Sequence, residues 1–456
     1  MRREFREEEM KNILVLGAGM VARPLVRYLL EQDDFRLTVA SRTVSKAEKL
    51  VSNHPKGEAR ALNVTDTDAL KQLISSSDLV ISLLPYAHHM KVANYCIQHK
   101  KPMVTTSYVS AEMQSLDEKA REASIIILNE IGLDPGIDHM SAMRIIHGVQ
   151  HRGGEITSFR SYCGALPAPE AANNPFRYKF AWSPRGVVLA GKNDARYLEN
   201  GREVYVPGEK LFEDSTTLTV EGLGEFAVYP NRNSLGYIEK YGISSTKTMF
   251  RGTLRYPGWC ETWVSLGRLG LLDEKERELK SLSYREFTAS LIGRSSAAET
   301  APPHSMKTAV GEHLQLDENS PVLARLDWLG LFSEESLPMD RGSALDVLSA
   351  LLLDKLTYEE GERDMVVLHH EFTGKYPGNK RERITSTLID YGKPGGDTAV
   401  ARTVALPAAI ATKLILQGRI DLKGVLIPTA PEVYEPVLGE LEKLGIVCTE
   451  KTEPLN

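Results

Sequence analysis

Residues 13–22 read ILVLGAGMVA, an apolar run that enters a turn of small residues. Such a run is typical of a buried strand. Gly17 and Gly19 allow a tight turn whose N–H groups, with the dipole of the next helix, can hold a pyrophosphate. The following apolar run ends near Arg42, where an NAD enzyme usually carries an acidic residue for the ribose 2′-hydroxyl. Because a guanidinium fits a 2′-phosphate, this stretch predicts a dinucleotide site that prefers NADP(H).

Short apolar runs alternate with amphipathic patterns over the first 130 residues. Strands are expected at 12–17, 36–41, 59–62, 78–83, 102–106 and 125–129, and helices near 21–30, 45–53, 66–74, 89–99 and 112–123. Parallel strands need crossover helices, and strands buried on both faces have continuous apolar sequences. The pattern therefore predicts an α/β fold with a Rossmann-type doubly wound parallel sheet.

The alternation stops after Asp134-Pro135-Gly136. We expect a helix at 137–149, β segments at 155–164, 216–228, 245–255, 365–372 and 383–391, and closing elements at 398–416, 424–427 and 431–444. The polar stretch 165–208 has the composition of a functional loop, and 258–356 is mostly helical in pattern with a polar interruption at 297–307. The sequence thus predicts a mixed α/β domain with a helical insertion, and closing helices that pack on the first domain.

The composition is that of an ordinary soluble enzyme. The 456 residues are 42% hydrophobic and 25% charged, with a formal net charge of −6, so no surface for nucleic acid is expected. The four cysteines form no CxxC pair, which argues against structural zinc or disulfides and favours a cytoplasmic location. No run approaches 18 apolar residues, so no membrane span is expected, and the charged residues 1–9 lack the apolar core of a signal peptide.

Polar residues at strand ends are candidates for the chemistry. Ligands of open parallel sheets bind at the carboxyl ends of the strands, so the turns at 83–86 and 105–108 are expected near the nicotinamide. Tyr108 and Asp134 would face one cleft and could each move a proton, if burial raises the pKa of the acid toward neutrality. The alternative for Tyr108 is a residue that only caps the sheet. Asn63 and Val64 would flank the adenine or form an ordinary loop.

Three other reactive side chains have plainer interpretations. Asp138 and His139 fit the first turn of a helix, and His139 has no second ligand at i+4, so no metal site is predicted. Cys163 ends a β run with no basic neighbour in the sequence, which favours a residue that lines a pocket over a nucleophile.

Cationic residues cluster in three segments. Residues 176–186 interleave three cations with four aromatics, and two further segments carry Arg232 and Arg255. Arginine binds carboxylates through paired hydrogen bonds, so these segments predict a small substrate with several carboxylates, unless the arginines are ordinary surface residues. Lys247 and Arg251 are interpreted as solvated charges of a strand.

Six motifs together resemble those of a known family. They are GAGMVARP at 17–24, TTSY at 105–108, NEIGLDPGIDH at 129–139, WSPRG at 182–186, YPNRNS at 229–234 and RGTLRYPGW at 251–259. The chain resembles saccharopine dehydrogenases of the glutamate-forming type, also called saccharopine reductases, over nearly its whole length from Asn12. It departs from the usual family pattern at Met20, where Phe is common, and at Asn233, which is often acidic.

The resemblance implies a dinucleotide-binding domain at 1–135 completed by about 398–456, a substrate-binding and dimerisation domain at 136–270 and 363–397, and a helical lid at 271–362. NADP(H) would contact Gly17, Gly19, Met20, Val21, Ser41, Arg42, Thr43, Asn63, Val64, Ser107, Leu133, Asp134, Pro135 and Ser183. Substrate would contact Ser107, Tyr108, Arg232, Thr253, Leu254 and Arg255. By the same resemblance, Asp134, Tyr108 and Cys163 lie near the chemistry, and the protein is a homodimer.

The implied reaction condenses L-glutamate with 2-aminoadipate 6-semialdehyde and reduces the imine to saccharopine, reversibly, in lysine metabolism. Three alternatives stay open. Carboxynorspermidine dehydrogenase would need acidic residues for a free amine, and a lysine-forming saccharopine dehydrogenase would be expected to use NAD(H), which Arg42 disfavours. A non-catalytic NADP-sensing protein would not need Tyr108, Asp134 and the arginine segments together.

Overall fold

The computed structural model describes residues 10–182, 184–294 and 303–455, which form two compact units. The first unit comprises the described residues up to Ile156, Lys240–Ile243 and the residues from Thr373 on. The second comprises Thr157–Glu239 and Ser244–Phe372, as far as they are described. This division is coarser than the three domains expected from the sequence, whose boundaries stay a prediction.

The described residues form eighteen strands and sixteen α-helices. The strands are β1 (Lys11–Leu16), β2 (Phe35–Ser41), β3 (Gly57–Ala61), β4 (Leu79–Ser82), β5 (Met103–Val104), β6 (Ile126–Leu128), β7 (Glu155–Pro167), β8 (Ala195–Glu199), β9 (Arg202–Val206), β10 (Thr216–Val220), β11 (Gly224–Pro230), β12 (Thr248–Arg255), β13 (Arg277–Glu278), β14 (Arg341–Gly342), β15 (Asp364–Lys375), β16 (Arg381–Tyr391), β17 (Gly424–Leu426) and β18 (Thr449–Leu455). The helices are α1 (Ala22–Leu30), α2 (Val44–Val51), α3 (Thr67–Ser75), α4 (His89–Gln98), α5 (Ala111–Gln114), α6 (Asp117–Glu122), α7 (Ile137–His151), α8 (Pro184–Ala190), α9 (Gly236–Lys240), α10 (Trp259–Arg268), α11 (Tyr284–Leu291), α12 (Pro303–Leu314), α13 (Pro321–Leu329), α14 (Ala344–Lys355), α15 (Ala399–Leu416) and α16 (Pro431–Lys443).

The first unit is built on a parallel sheet with the strand order β17-β6-β5-β4-β1-β2-β3. The side chains of Val15, Leu16 and Val39 in its central strands are fully buried. Because helices cover both faces of such a sheet, its strands have the continuous apolar runs seen in the sequence. The predicted Rossmann-type fold class is confirmed.

Segments from the end of the chain complete this unit. β17 pairs with β6, and α15 packs against α1. Among the described residues, α15 is the one helix long and apolar enough to cross a membrane, and 72% of that stretch is buried inside the protein. Such burial makes α15 a core helix of the unit. Strand β18, which the sequence did not indicate, pairs antiparallel with β16.

The second unit contains a mixed sheet whose strands follow the order β10-β11-β12-β7-β15. β7 is parallel to β12, and β11 is antiparallel to β12. The expectation of a loop throughout 165–208 was wrong, because β8 and β9 form a hairpin there. The segment expected at 216–228 is also a hairpin, made of β10 and β11. Helices α10 to α14 follow; the polar interruption expected at 297–307 is helical from Pro303, and residues 295–302 lie outside the described residues.

Candidate functional site

The glycine turn after β1 is shaped for close approach of a ligand. Gly17 has φ of +112°, and a Cβ atom there would lie 2.9 Å from the carbonyl oxygen of Leu83, so only glycine fits. At Gly19 a Cβ atom would meet no described atom within 4 Å, which leaves open space beside the turn. Within the described residues no side chain caps α1 at Val21. The Ala22 N–H donates to the Gly19 carbonyl at 3.2 Å and Pro24 has no N–H, so an anion here would depend on the N–H groups of the turn and of Arg23. The turn therefore fits a pyrophosphate.

The residues expected at the adenosine end lie on the next two strands of the sheet. Arg42 and Thr43 are exposed at the end of β2, where the Ser41 hydroxyl accepts a hydrogen bond from the Thr43 N–H at 3.3 Å. Asn63 is exposed just beyond β3, which pairs with β2, and Val64 is half-buried. Met20 is 63% exposed. These predicted cofactor residues thus share the carboxyl edge of three neighbouring strands.

A buried histidine links the carboxyl ends of β4 and β5. His89 Nδ1 lies 2.9 Å from the Ser82 hydroxyl, and its Nε2 lies 2.8 Å from the Ser107 hydroxyl. Burial, with a smaller effect of His88, lowers the pKa of His89 to about 4, so the imidazole is neutral near pH 7 and has one donor and one acceptor nitrogen. His89 therefore orients Ser107, a predicted cofactor and substrate contact. His89 was not among the predicted site residues, although its place on the apolar face of α4 was a signal.

Tyr108 and Asp134 meet at the same edge of the sheet. The Tyr108 hydroxyl donates a hydrogen bond to Asp134 Oδ1 at 2.9 Å, and both side chains are half-buried. The turn that carries Asp134, between buried Leu133 and Pro135, requires Gly136, since a Cβ atom there would overlap the backbone of Gly132. The structure thus brings together the two groups that the sequence assigned to one cleft. Their catalytic roles, and those of the other predicted contacts, stay predictions; Ser183 lies outside the described residues.

Of Asp138 and His139, only Asp138 fits the helix-start interpretation. Asp138 Oδ1 accepts hydrogen bonds from the N–H groups of Gly136 at 2.5 Å and His139 at 2.8 Å, as a residue at a helix start does. The ring of His139 is instead fully buried between Glu130 and Tyr241. The described residues contain no cluster of three His, Cys, Asp or Glu side chains able to hold a metal. Neither partner of His139 was predicted. Tyr241 is 102 residues away in the chain, and the nine-residue separation of Glu130 does not by itself indicate a contact.

In the second unit, several predicted residues share one face of the sheet. Cys163 of β7 is in register with Thr253 of β12, which is also in register with Tyr229 of β11. Since alternate residues of a strand face the same way, Arg255 lies on this face and Leu254 on the other. Arg255 interacts electrostatically with the buried Cys163 thiol. The basic neighbour of Cys163, absent from the adjacent sequence, therefore comes from β12.

Arg255 is a buried cation in an aromatic cage. It is 4% exposed, and its guanidinium carbon lies 5.0, 5.8 and 5.4 Å from the ring centres of Tyr178, Tyr229 and Trp259. Its Nη1 donates to the Leu254 carbonyl at 2.7 Å, while Nε has no hydrogen-bond partner in the described part of the chain. A buried charge without an acidic partner is costly, so this arrangement favours an anionic ligand.

The other two arginines differ from Arg255 and from each other. Arg232 is exposed in the turn after β11, beyond the last paired residue Pro230, whereas Arg255 is in register with Ala227 within the strand. Arg251 is buried, with its guanidinium 4.8 Å from the ring centre of Tyr237, so the expectation that it is solvated was wrong, whereas Lys247 is exposed as expected.

Comparison with known proteins gives consistent matches over nearly the whole chain. Residues 13–128 match the family model of the saccharopine dehydrogenase NADP binding domain, and residues 132–446 match that of the saccharopine dehydrogenase C-terminal domain. A saccharopine dehydrogenase [NADP(+), L-glutamate-forming] of Schizosaccharomyces pombe is 43% identical over 97% of this chain and 99% of its own length. The mitochondrial alpha-aminoadipic semialdehyde synthase of Bos taurus is 38% identical over 97% of this chain and 48% of its own length.

A solved structure agrees with these matches. The apo saccharopine dehydrogenase (L-Glu forming) of Saccharomyces cerevisiae superposes with a TM-score of 0.90 at 40% identity, covering 97% of this chain and 100% of that one. Two family models, a relative matched over nearly its whole length and a solved structure therefore point to one family. On these grounds the chain is a member of the saccharopine dehydrogenase family.

Proposed function

We propose that this protein is an NADP(H)-dependent saccharopine dehydrogenase of the glutamate-forming type. It condenses L-glutamate with 2-aminoadipate 6-semialdehyde and reduces the resulting imine to saccharopine, a reversible reaction of lysine metabolism. The observation that carries the proposal is the 2.9 Å hydrogen bond between Tyr108 and Asp134 at the ligand-binding edge of the parallel sheet. The Schizosaccharomyces pombe relative, a saccharopine dehydrogenase [NADP(+), L-glutamate-forming], supports it.

The cofactor assignment fits the residues present. The Gly17 and Gly19 turn leaves room for a pyrophosphate, and Arg42, with the hydroxyl groups of Ser41 and Thr43, suits a 2′-phosphate. Asn63 and Val64 would flank the adenine, while Ser107, held by His89, would bind near the nicotinamide. Bound NADPH supplies the hydride for imine reduction.

The proton steps fall to Tyr108 and Asp134. Formation of the carbinolamine and its dehydration each move a proton at the substrate nitrogen or oxygen. A carboxylate that accepts the Tyr108 hydroxyl can take a proton while the phenol donates one, so the pair can serve both directions of the reaction. A protonated imine is already a good hydride acceptor, so most of the rate enhancement is assigned to orientation. Cys163 is a weaker participant.

Substrate recognition is assigned to arginine. Saccharopine carries three carboxylates, and the buried Arg255 is suited to one of them, because the bound anion would supply the missing partner for its charge. Arg232 would bind another, and Thr253 lies on the same sheet face as Arg255. Recognition by arginine disfavours carboxynorspermidine dehydrogenase, because the free amine of its substrate would need acidic residues.

Three further assignments complete the proposal. A cytoplasmic location is supported by Cys96, Cys163, Cys260 and Cys448, which form no disulfide with one another. Independence from membranes is supported by the burial of α15 within the first unit. A homodimer is supported by the family resemblance of the sequence, and the net charge of −6 argues against a nucleic-acid partner.

The direct test mixes purified protein with saccharopine and either NADP⁺ or NAD⁺. We expect absorbance of the reduced nicotinamide to rise, faster with NADP⁺, and glutamate to be released. Release of lysine would identify the lysine-forming reaction and overturn the proposal. Cofactor binding without turnover of saccharopine, or of other amino acid and aldehyde pairs in the reverse direction, would identify a sensor instead.

A further inference from the structure

A buried polar network lies behind the Tyr108–Asp134 pair. Glu130 Oε2 lies 2.7 Å from His139 Nε2, and His139 Nδ1 lies 2.5 Å from the Tyr241 hydroxyl. The three residues are 1%, 0% and 2% exposed and belong to the first unit. Burying an acid and an imidazole is costly even when they pair, and apolar residues of similar size often stabilise a core as well or better. This network therefore calls for a role beyond stability.

Glu130 holds the segment that carries Tyr108. Its Oε1 accepts a hydrogen bond from the Val109 N–H at 2.9 Å, and its own N–H donates to the Ser107 carbonyl at 3.1 Å. Both chain neighbours of Tyr108 are thus bound to one residue. Glu130 reaches this position with φ of +56°, a conformation that is strained for a residue with a side chain.

His139 belongs to the segment that carries Asp134. It follows Asp138, whose N–H donates to the Leu133 carbonyl at 3.0 Å and whose carboxylate accepts the Gly136 N–H at 2.5 Å. The start of α7 is thereby tied to both sides of Asp134. The Glu130–His139 bond consequently joins the Tyr108 segment to the Asp134 turn.

The network is already charged and hydrogen-bonded in the folded chain. Burial alone would raise the pKa of Glu130, but the hydrogen bond and charge of His139, the Val109 N–H and the charge of Lys240 outweigh it and lower the pKa to about 2. Asp138 Oδ1 is also near, 3.7 Å from His139 Nδ1. Glu130 is therefore a permanent anion near neutral pH, suited to hold geometry.

We propose that Glu130, His139 and Tyr241 are positioning residues, which set the separation of Tyr108 and Asp134 and so the rate of the proton steps. This inference rests on the proposed function. None of the three needs to touch substrate, because each acts through the segments it holds.

The test compares kcat and KM of Glu130→Ala, Glu130→Gln and Tyr241→Phe with the unchanged enzyme, using saccharopine and NADP⁺. Glu130→Ala loses the side-chain hydrogen bonds to the Val109 N–H and to His139. It is expected to lower kcat by about ten- to a hundredfold, with little change in KM for saccharopine or for NADP⁺. Glu130→Gln keeps an acceptor for Val109 and is expected to recover much of that loss. If Glu130→Ala does not fold, kcat and KM of Tyr241→Phe, the mildest change, are compared with those of the unchanged enzyme in its place.

Two controls separate positioning from general stability. Another largely buried ion pair of the first unit joins Asp390 Oδ1 to Arg402 Nη1 at 3.2 Å. Asp390→Ala breaks this pair and is expected to lower Tm without lowering kcat of the folded enzyme. In the double variant Glu130→Ala with Asp134→Asn, kcat is expected to fall well short of the product of the two single losses, because both act on one pair. Independent, multiplicative losses overturn the inference.

A crystal structure of Glu130→Ala gives a readout that does not need activity. The Tyr108 hydroxyl and Asp134 Oδ1 are expected to separate beyond 3.5 Å, compared with 2.9 Å here. A pair that stays at its present distance contradicts the inference even if kcat falls. If the unchanged enzyme releases no glutamate from saccharopine, the proposed function fails, and this structural comparison still decides the positioning role.

Discussion

Two buried charges, one in each unit, have opposite surroundings. In the first unit, Glu130 is buried with His139 as its partner and a backbone N–H as a further donor. In the second unit, Arg255 is buried among aromatic rings, and the described residues offer its Nε no acceptor. A satisfied pair stabilises geometry, whereas an unsatisfied cation prepares a site for an anion. The difference distinguishes residues that hold the geometry of the site from a residue that binds an anionic ligand.

The largest expected effect is that of Arg255→Leu. Loss of the guanidinium should raise KM for saccharopine by a hundredfold or more, about 3 kcal/mol, while affinity for NADP⁺ stays unchanged. Among the described residues Arg255 has no acidic partner, so its removal should also leave Tm unchanged or raise it. Steady-state kinetics, cofactor titration and thermal denaturation measure the three quantities. A large fall in Tm would mean that Arg255 is structural and would remove the contrast with Glu130.

Acid denaturation tests the opposite arrangement at Glu130. Burial raises its pKa, yet His139 and the Val109 N–H lower it to about 2 from 4.5, so the unfolded chain binds the proton first as the pH falls. The stabilisation is complete above about pH 5 and is lost toward pH 2; it amounts to about 3 kcal/mol at most. Urea unfolding at several pH values should therefore show the difference between unchanged protein and Glu130→Gln shrinking on acidification. A constant difference would contradict the pairing.

Asp134→Ala separates proton transfer from binding. It should lower kcat by no more than about a hundredfold, since it removes one acid–base group. The matched variant Arg232→Ala should chiefly raise KM for saccharopine. Parallel steady-state measurements decide the point, and a larger loss of kcat for Arg232→Ala than for Asp134→Ala would reverse these roles.

The smallest expected effect concerns the cofactor. Arg42→Ala should reduce the preference for NADP⁺ over NAD⁺ by about tenfold, because one exposed charge-assisted contact to the 2′-phosphate is lost. The ratio of kcat/KM for the two cofactors measures this preference. Lys46→Ala, another exposed cation in the first unit, provides the control and should leave the ratio unchanged.

The predictability of the fold followed the apolar content of each segment. Strands β1, β2 and β4 to β6 were found because buried parallel strands have continuous apolar sequences, whereas the edge strand β3 is mostly exposed and was placed only approximately, at 59–62. The β8–β9 hairpin and β18 were missed because most of their residues are exposed or half-buried and polar, and their structure depends on pairing with other strands. Local sequence carries little signal for a strand that is stabilised by its neighbour.

The candidate site shows the same limit. Tyr108 and Asp134 were paired in advance because strand ends of a parallel sheet share one edge. Arg251 was assigned to solvent because a charge in a strand usually is exposed, but the ring of Tyr237 covers it. The partners of His139 depend on packing between Glu130, nearby in sequence, and Tyr241, 102 residues away. Such contacts cannot be derived from spacing alone.

The use of chain-terminal segments in the first sheet has a consequence for synthesis. β17, which covers the edge of β6, is made only when the ribosome has passed residue 426. Until then a nascent chain displays the unpaired edge of β6, and until α15 is complete at residue 416 it also displays an uncovered α1; both surfaces invite aggregation. A fragment that stops at residue 135 would share this defect, so it should be expressed only with residues 399–455 supplied, in the same chain or as a second peptide.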